Sequence, residues 1–433
     1  MEHDLSWRRR LVSAFDPFRE LSLDECATLY VHREGQPSRL VVEALEEGEA
    51  ERTRIALVGA RGSGKSTELR RVMRTLTEDG SALVPILVDI SAGLPDKATT
   101  VAWLPLVAAA VRAAREDWNG LAPKGDPLLT ALEAIGIGAE LLAPLMDLVR
   151  IAGPWFGPKG QAAAAGAAAV VELGEACGKA ARAALEHPTS RTELDDLVEA
   201  MRGELVALRK AAGRAPVLLL DGLDKRVSTD SVFDALSDAA LLYGLPAAIV
   251  ISGPMALRLD GRFASFLMPG SFRPMTLHNL PVVDREGRPK EAGIAVLREL
   301  YRLRWEAAGL GPELLPVELV DEAARWSSGV AREFLALVKE SVREAVRKSR
   351  DRVRPEDLAL AVRERRHTME ITLDTSRWDV LADVLAHQER PHHELDDLLY
   401  TNAVACYQND SVWYRPNELL VPYLQDRRRV EPS

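Results

Sequence analysis

The sequence predicts an α/β fold whose core is a parallel β-sheet. An apolar run at residues 55–58 is followed by a glycine-rich loop and then by residues 68–76, which have apolar positions at helical spacing. Three further apolar runs, at residues 83–90, 215–220 and 247–252, have the length and composition of buried strands. Buried strands separated by longer connecting segments are typical of parallel sheets.

The loop Gly59-Ala60-Arg61-Gly62-Ser63-Gly64-Lys65-Ser66-Thr67 matches the phosphate-binding pattern G-x-x-x-x-G-K-S/T. Glycines allow successive N–H groups to point at one anion, and the start of the following helix adds a partial positive charge. Lys65 is expected to reach the β- and γ-phosphates of a nucleotide, and the Ser66 hydroxyl to bind Mg²⁺. An accidental match in a glycine-rich turn is the alternative, but the flanking strand and helix favour a nucleotide site. The candidate binding residues are Gly59, Arg61, Gly62, Ser63, Gly64, Lys65, Ser66 and Thr67.

A second part of the site is expected at the end of another buried strand. The run Val217-Leu218-Leu219-Leu220-Asp221 has the form of a Walker B segment, so Asp221 is predicted to bind Mg²⁺ directly or through water. Asp224 is a candidate for orienting the attacking water. Ser252, at the end of the run 247–252, either contacts the γ-phosphate or caps a turn, and the sequence leaves both interpretations open.

Composition indicates an ordinary globular protein. The 433 residues are enough for two to three domains, and 47% are apolar and 28% charged. The net charge of −10 opposes unspecific binding to nucleic acid. Cys26, Cys177 and Cys406 have no metal-binding spacing, which favours a reducing, cytoplasmic setting. Residues 1–4 are charged and precede no apolar stretch, so no signal peptide is expected.

Together these motifs resemble the AAA+ superfamily of P-loop ATPases, in particular the branch shared by Orc/Cdc6-type initiators and STAND signalling ATPases. Residues 30–34 resemble the Arg-Glu box of that branch, which implies that Arg33 and Glu34 lie near the adenine of ATP. Residues 328–333 resemble the sensor 2 of the helical lid, which would bring Arg332 onto the γ-phosphate. A solvated helix arginine is the alternative for Arg332.

The C-terminal residues resemble a winged-helix domain. Helices are predicted at 378–385 and 394–399, and strands at 402–407 and 411–415. Residues 371–433 contain six arginines against seven aspartates and four glutamates, or −5, which favours a protein-contact or autoinhibitory module over DNA binding. Residues 339–366, with ten Lys or Arg against six acids, keep DNA possible.

Two departures from the family pattern bear on the rate of hydrolysis. Gly222 stands where most AAA+ motors carry a catalytic glutamate, and Lys225 replaces an acid common in STAND proteins. Because a general base contributes about 10²- to 10⁴-fold in rate, slow hydrolysis is expected. An arginine finger, if present, would be Arg262 or Arg273, just before a fifth strand predicted at residues 275–280.

The connection between the second strand and the Walker B segment is unusually long. Residues 133–186 within it are rich in alanine and glycine, and Glu140, Asp147, Arg150 and Lys159 interrupt the apolar stretch. A membrane-spanning helix is therefore not expected. A mobile helical arm or a subunit interface is the favoured interpretation, with residues 153–158 as a contact point.

The predicted organisation is an N-terminal strap (1–45), a P-loop core (46–280) with an insertion at about 120–190, a helical lid (281–370) and a winged helix (371–433). The resemblance implies an ATP- and Mg²⁺-dependent assembly or signalling switch, of a kind found in bacterial anti-phage systems. It would self-associate or engage an effector through the winged helix and the insertion. A DNA-associated ATPase that loads a partner is the alternative.

Overall fold

The structure is a computed structural model, and the chain in it divides into two compact units. The lid unit comprises residues 1–36, 59–67 and 276–433, and the sheet unit comprises residues 37–58 and 68–275. The described residues are 5–19, 21–33, 35, 37–49, 51–78, 81–91, 99–119, 126–152, 179, 182–183, 186, 189–225, 228–236, 239–266, 271–309, 314–389 and 395–430.

The elements follow one another in the order expected for an α/β fold with a helical C-terminal half. The strands are β1 (Arg54–Gly59), β2 (Leu83–Asp89), β3 (Ala215–Asp221), β4 (Ala248–Pro254), β5 (Arg273–Leu277), β6 (Val404–Gln408) and β7 (Val412–Pro416). The helices up to β5 are α1 (Leu5–Ala14), α2 (Leu23–Leu29), α3 (Pro37–Glu47), α4 (Lys65–Glu78), α5 (Thr100–Asn119), α6 (Pro127–Ala134), α7 (Ala139–Ala152), α8 (Arg191–Ala212), α9 (Thr229–Ala235) and α10 (Ala256–Leu259). Those after β5 are α11 (Glu291–Ala307), α12 (Val317–Trp326), α13 (Ala331–Arg347), α14 (Pro355–Glu370), α15 (Thr375–His387), α16 (Leu395–Tyr400) and α17 (Val421–Val430).

A five-stranded sheet of order β2-β3-β4-β1-β5 forms the core, and β3 pairs in parallel with both β2 and β4. Strands β1 and β4 are buried along their whole length, while β5 is partly exposed. Burial on both faces requires continuous apolar runs, which is why the alternation of a half-exposed strand is missing from the sequence. The predicted α/β class with a parallel sheet is confirmed.

Helices of the long insertion belong to the core of the sheet unit. Helices α5 and α7 contact β2, and α6 contacts α8. Leu128, Leu132 and Leu145 on α6 and α7 are fully buried, so this part of the insertion is packed and does not form an arm. Residues 153–178, which include the contact loop predicted at 153–158, lie outside the described residues.

No single helix of the described chain is long and apolar enough to cross a membrane. Helices α6 and α7 are long and apolar enough only when taken together, and the chain bends by 110° between them.

A buried ion cluster joins α5 to α8. Glu204 on α8 pairs with Arg115 and, at 3.2 Å, with Arg112, and all three side chains are almost fully buried. Arg112 also pairs with Asp126, which caps α6. Burial raises the pKa of Glu204 even though the two guanidinium groups lower it. The ion pairs therefore offset part of the cost of burying these charges.

In the lid unit, the N-terminal helices pack on α11 and the C-terminal elements form a hairpin module. Phe15 lies beside the rings of Tyr301 and Trp305 on α11. Strands β6 and β7 pair antiparallel, with Tyr407 against Trp413 between them, and α15 and α16 contact this hairpin. The predicted succession of helices and a two-stranded hairpin, as in a winged helix, is confirmed.

We expect Glu204→Ala to lower the free energy of unfolding by about 3 kcal/mol, because two buried guanidinium groups lose a partner. Urea denaturation followed by circular dichroism measures the effect. Glu199→Ala, at an exposed position of the same helix, is the control and should change stability by less than about 0.5 kcal/mol. Equal stabilities of the two variants would contradict a structural role for the cluster.

Candidate functional site

The glycine-rich loop links the end of β1 at Gly59 to the start of α4 at Lys65. Gly62 and Gly64 have φ angles of +83° and +104°, which residues with a side chain rarely adopt. The loop also closes on itself, because the Ser63 N–H donates to the Ala60 carbonyl at 3.2 Å. The sequence pattern thus corresponds to a curled backbone at the amino end of a helix.

Two polar side chains of the loop are buried. The Lys65 Nζ donates to the carbonyls of Gly59 and Ala60 at 3.0 and 2.8 Å, so the ammonium group lies over the loop. Ser63 is 3% exposed, and its hydroxyl has no hydrogen-bond partner within the part of the chain that the structure describes. A buried hydroxyl normally has a partner, and a phosphate oxygen would supply one here.

Three successive carbonyls of the loop accept hydrogen bonds from three distant segments of the lid unit. The Asn402 side chain donates to the Arg61 carbonyl at 2.9 Å, the Arg332 N–H to the Gly62 carbonyl at 3.3 Å, and the Arg33 guanidinium to the Ser63 carbonyl at 2.8 Å. The loop is therefore fixed from the N-terminal strap, from the lid and from the residues that precede the C-terminal hairpin.

Arg332 approaches the loop closely at Gly62. A Cβ atom on Gly62 would lie 2.5 Å from the Arg332 Cβ, so only glycine fits there. The Arg332 side chain extends toward the N-terminal strap: its Nε donates to the Pro17 carbonyl at 3.3 Å, and its guanidinium carbon lies 5.3 Å from the centre of the Phe18 ring.

The turn that precedes Arg332 is held by the C-terminal hairpin. The Ser328 carbonyl accepts from the Tyr407 hydroxyl at 3.1 Å, and the Ser328 hydroxyl accepts from the Glu418 N–H at 2.8 Å. Ser328 and Gly329 both have positive φ, and a Cβ on Gly329 would lie 1.9 Å from the Leu280 carbonyl oxygen. The hairpin therefore fixes a strained turn at the start of the helix that carries Arg332.

In the sheet unit, Asp221 ends β3 in a buried polar environment. Its Oδ1 accepts from the Ser252 hydroxyl at 2.5 Å, and the same hydroxyl accepts from the Gly222 N–H at 3.0 Å. Burial raises the pKa of Asp221; Lys225 lowers it, and the carboxylates of Asp89 and Asp224 raise it. A buried carboxylate whose pKa is raised in this way is suited to a cation.

Asp89 lies beside Asp221 at the end of the neighbouring strand, as its partner in the parallel register of β2 and β3. Its Oδ2 accepts from the Lys225 Nζ at 2.7 Å, and its Oδ1 from the Ser91 N–H at 2.9 Å and hydroxyl at 2.5 Å. Gly222 has φ of +113°, and a Cβ there would lie 2.8 Å from Asp89 Oδ1. The Asp89 carboxylate thus occupies the space beside Gly222.

The predicted site residues fall into two groups. The lid unit brings the loop together with Arg33 and Arg332, and the sheet unit brings Asp221 together with Ser252. Asp224 is also buried in the sheet unit, in a short 3₁₀ turn at Leu223–Lys225. Glu34 lies outside the described residues. The roles predicted for these residues stay predictions.

Sequence reasoning missed Asn402 and Asp89. The sequence pattern around Asp89 could have identified it, since Asp89 is an acid at the end of a buried strand, as Asp221 is. The sequence around Asn402 has no pattern that would link this asparagine to the loop.

The two candidate arginine fingers differ in their contacts. Arg262 donates to both Asp260 and Asp230, at 2.6 Å in each case through its terminal nitrogens, and these contacts raise its pKa. Arg273 is exposed and is the first residue of β5, where a residue preceding the strand was expected. Since Arg262 would have to leave two carboxylates, Arg273 is the better candidate of the two.

We expect Asp221→Asn to stabilise the Mg²⁺-free protein at pH 8. A raised pKa means that folded Asp221 holds its proton more tightly than the unfolded chain, so its contribution to stability falls as the pH rises above the ordinary aspartate value of about 3.9. Asparagine does not ionise, so the variant avoids this loss of stability. In EDTA, the melting temperature of Asp221→Asn should exceed that of the wild type by about 2 °C or more at pH 8 and by less at pH 5. The exposed Asp234→Asn is the control, and an identical pH dependence in wild type and Asp221→Asn would contradict the expectation.

Neither a protein-family model nor a curated protein sequence matches the chain. Among solved structures, the chain is similar to the Aeropyrum pernix ORC1 protein in complex with DNA, at 16% identity and a TM-score of 0.41, over 98% of this chain and 97% of that one. It is also similar to the Aeropyrum pernix ORC2 protein in its ADP form, at 13% identity and a TM-score of 0.41, over 97% of this chain and 98% of that one.

A third match is the structure of Drosophila ORC bound to DNA, at 12% identity and a TM-score of 0.39, over 98% of this chain and 93% of that one. ORC proteins are thus the structural neighbours that the sequence resemblance predicted. The order of the strands and the glycine-rich loop of this chain by themselves define its α/β fold.

Proposed function

We propose that the protein is an ATPase that acts as a nucleotide-dependent assembly or signalling switch. The observation that supports this most strongly is the set of three hydrogen bonds to consecutive carbonyls of the loop at residues 61–63. With the carbonyls bound from outside, the backbone of the loop is held in the curled conformation that suits an anion. Any movement of the loop on nucleotide binding would act directly on the strap, on the lid and on the C-terminal module.

In this proposal each motif has one task. The loop and Lys65 bind the phosphates of ATP, and the Ser66 hydroxyl and Asp221 bind Mg²⁺. Arg332 leaves Pro17 and Phe18 to contact the γ-phosphate, which links ATP to the lid. The curled loop with its buried Ser63 hydroxyl fits a phosphate, and the buried Asp221 carboxylate fits a divalent cation.

Slow turnover suits a switch. Gly222 cannot be exchanged for glutamate without strain, because its φ is positive and Asp89 and Ser91 fill the adjacent space. A long-lived ATP state is useful when assembly, and not repeated work, is the output. By resemblance to STAND ATPases, we propose a cytoplasmic role in a bacterial conflict system, with an effector protein or a second copy of the chain as partner.

The alternative is a DNA-associated ATPase that loads a partner. The basic run at 339–366 supports it less than the sequence suggested, because six of its ten cationic side chains lie in ion pairs. These are Lys339, Arg343, Arg347, Lys348, Arg350 and Arg365. Cations that already have carboxylate partners contribute less to phosphate binding.

We expect Lys65→Ala to weaken ATP binding by about 100-fold, since a charged hydrogen bond to phosphate contributes about 1.5–3 kcal/mol. Isothermal titration calorimetry with Mg²⁺ measures it. Lys210→Ala, at an exposed position near the end of α8, is the matched control and should bind ATP as the wild type does. Tight binding retained in Lys65→Ala would refute the site.

We expect a non-hydrolysable ATP analogue with Mg²⁺ to increase the particle size in analytical ultracentrifugation, and ADP to have no such effect. Arg332→Ala should still bind the analogue but should assemble less, because the lid loses its contact to the γ-phosphate. The exposed Arg363→Ala is the control. A monomer under all conditions, with an ATPase rate that neither duplex DNA nor added protein changes, would exclude the switch. Stimulation by duplex DNA alone would favour the alternative.

A further inference from the structure

The site lacks a glutamate after the Walker B aspartate, and the structure gives a physical reason. Gly222 has φ of +113°, and a Cβ there would lie 2.8 Å from Asp89 Oδ1 and from the Cβ and Oγ of Ser91. Position 222, next to Asp221, therefore has no room for a larger residue, because the Asp89 carboxylate and the Ser91 side chain fill the space.

We propose that Asp89 is the catalytic carboxylate of this ATPase, in place of the missing glutamate. The inference rests on the proposed ATPase function and names a residue for its chemical step. Asp89 is the register partner of Asp221, so both carboxylates stand at the carboxyl ends of adjacent parallel strands. In parallel sheets of α/β proteins this edge is where ligands bind.

The contacts of Asp89 hold its carboxylate in one orientation. Ser91 holds Oδ1 through its N–H and its hydroxyl, and Lys225 holds Oδ2 at 2.7 Å, so the carboxylate is fixed in orientation. The Asp89 side chain is nevertheless 28% exposed, whereas Asp221 and Asp224 are only 3% and 7% exposed. Of these three carboxylates, Asp89 is the one that water reaches.

Lys225 also fits this assignment. The resemblance to STAND proteins implies an acid at that position, and the chain has a lysine whose ammonium group pairs with Asp89. In this chain Lys225 therefore holds the carboxylate that lies beside Gly222.

The proposed step is a hydrolysis. The oxygen of a water molecule forms a bond to the γ-phosphorus, and the bond between that phosphorus and the β–γ bridging oxygen breaks. The bridging oxygen leaves with the electron pair on ADP. The proton of the water passes to the Asp89 carboxylate and from there to solvent, which leaves ADP and inorganic phosphate.

The test compares ATP affinity with single-turnover hydrolysis in the full-length protein. We expect Asp89→Asn to lower the rate constant of hydrolysis by about 100-fold or more while the Kd for Mg²⁺-ATP changes by less than about threefold. The exposed Asp195→Asn is the control and should match the wild type in affinity and rate.

The loss of a merely structural contact would weaken ATP binding along with hydrolysis. An Asp89→Asn variant that hydrolyses ATP within threefold of the wild-type rate overturns the role of Asp89 but leaves the ATPase proposal intact. A wild-type protein that binds no ATP overturns the proposed function itself.

If Asp89→Asn fails to fold, Lys225→Met is the second variant. It keeps the carboxylate and removes the group that holds its Oδ2, so the rate constant of hydrolysis should fall by about tenfold while the Kd for Mg²⁺-ATP changes by less than about threefold. An unchanged rate constant would overturn the assignment of Asp89.

Discussion

The outward-facing carbonyls of the loop at residues 61–63 are the contacts on which the lid unit depends. Each carbonyl accepts a hydrogen bond from a different segment: Asn402, the backbone of Arg332, and Arg33. The loop is a structural junction, because the peptide units whose carbonyls accept these bonds also orient the N–H groups on the opposite side of the backbone. The absence of a side chain at Gly62 follows from this, since Arg332 stands where a Cβ would be.

The sheet unit illustrates the cost of a buried carboxylate. Asp221 is 3% exposed, and burial raises its pKa, so the ionised form of Asp221 works against stability. Ser252 offsets part of this cost through one hydrogen bond, and Lys225 through its charge. Sites that are arranged for a ligand commonly give up stability in its absence.

The sequence predicts those structural elements whose pattern lies within a short stretch of the chain. The loop at residues 59–67, its flanking strand and helix, and the other core strands follow from glycine spacing and apolar runs. The C-terminal hairpin follows from alternating strands around a turn. The contacts of Asn402 and Arg332 could not be predicted, because they depend on which distant segments the fold brings to the loop. Asp89 was visible as an acid after a strand, but its importance depends on the register of β2 with β3 and on the closed space at Gly222.

The hydrogen bond from Asn402 to Arg61 joins residues 341 positions apart in the chain. During synthesis, the glycine-rich loop leaves the ribosome before Asn402, which is the last of its three outside partners to be made. An incomplete chain therefore has the loop sequence without its complete support.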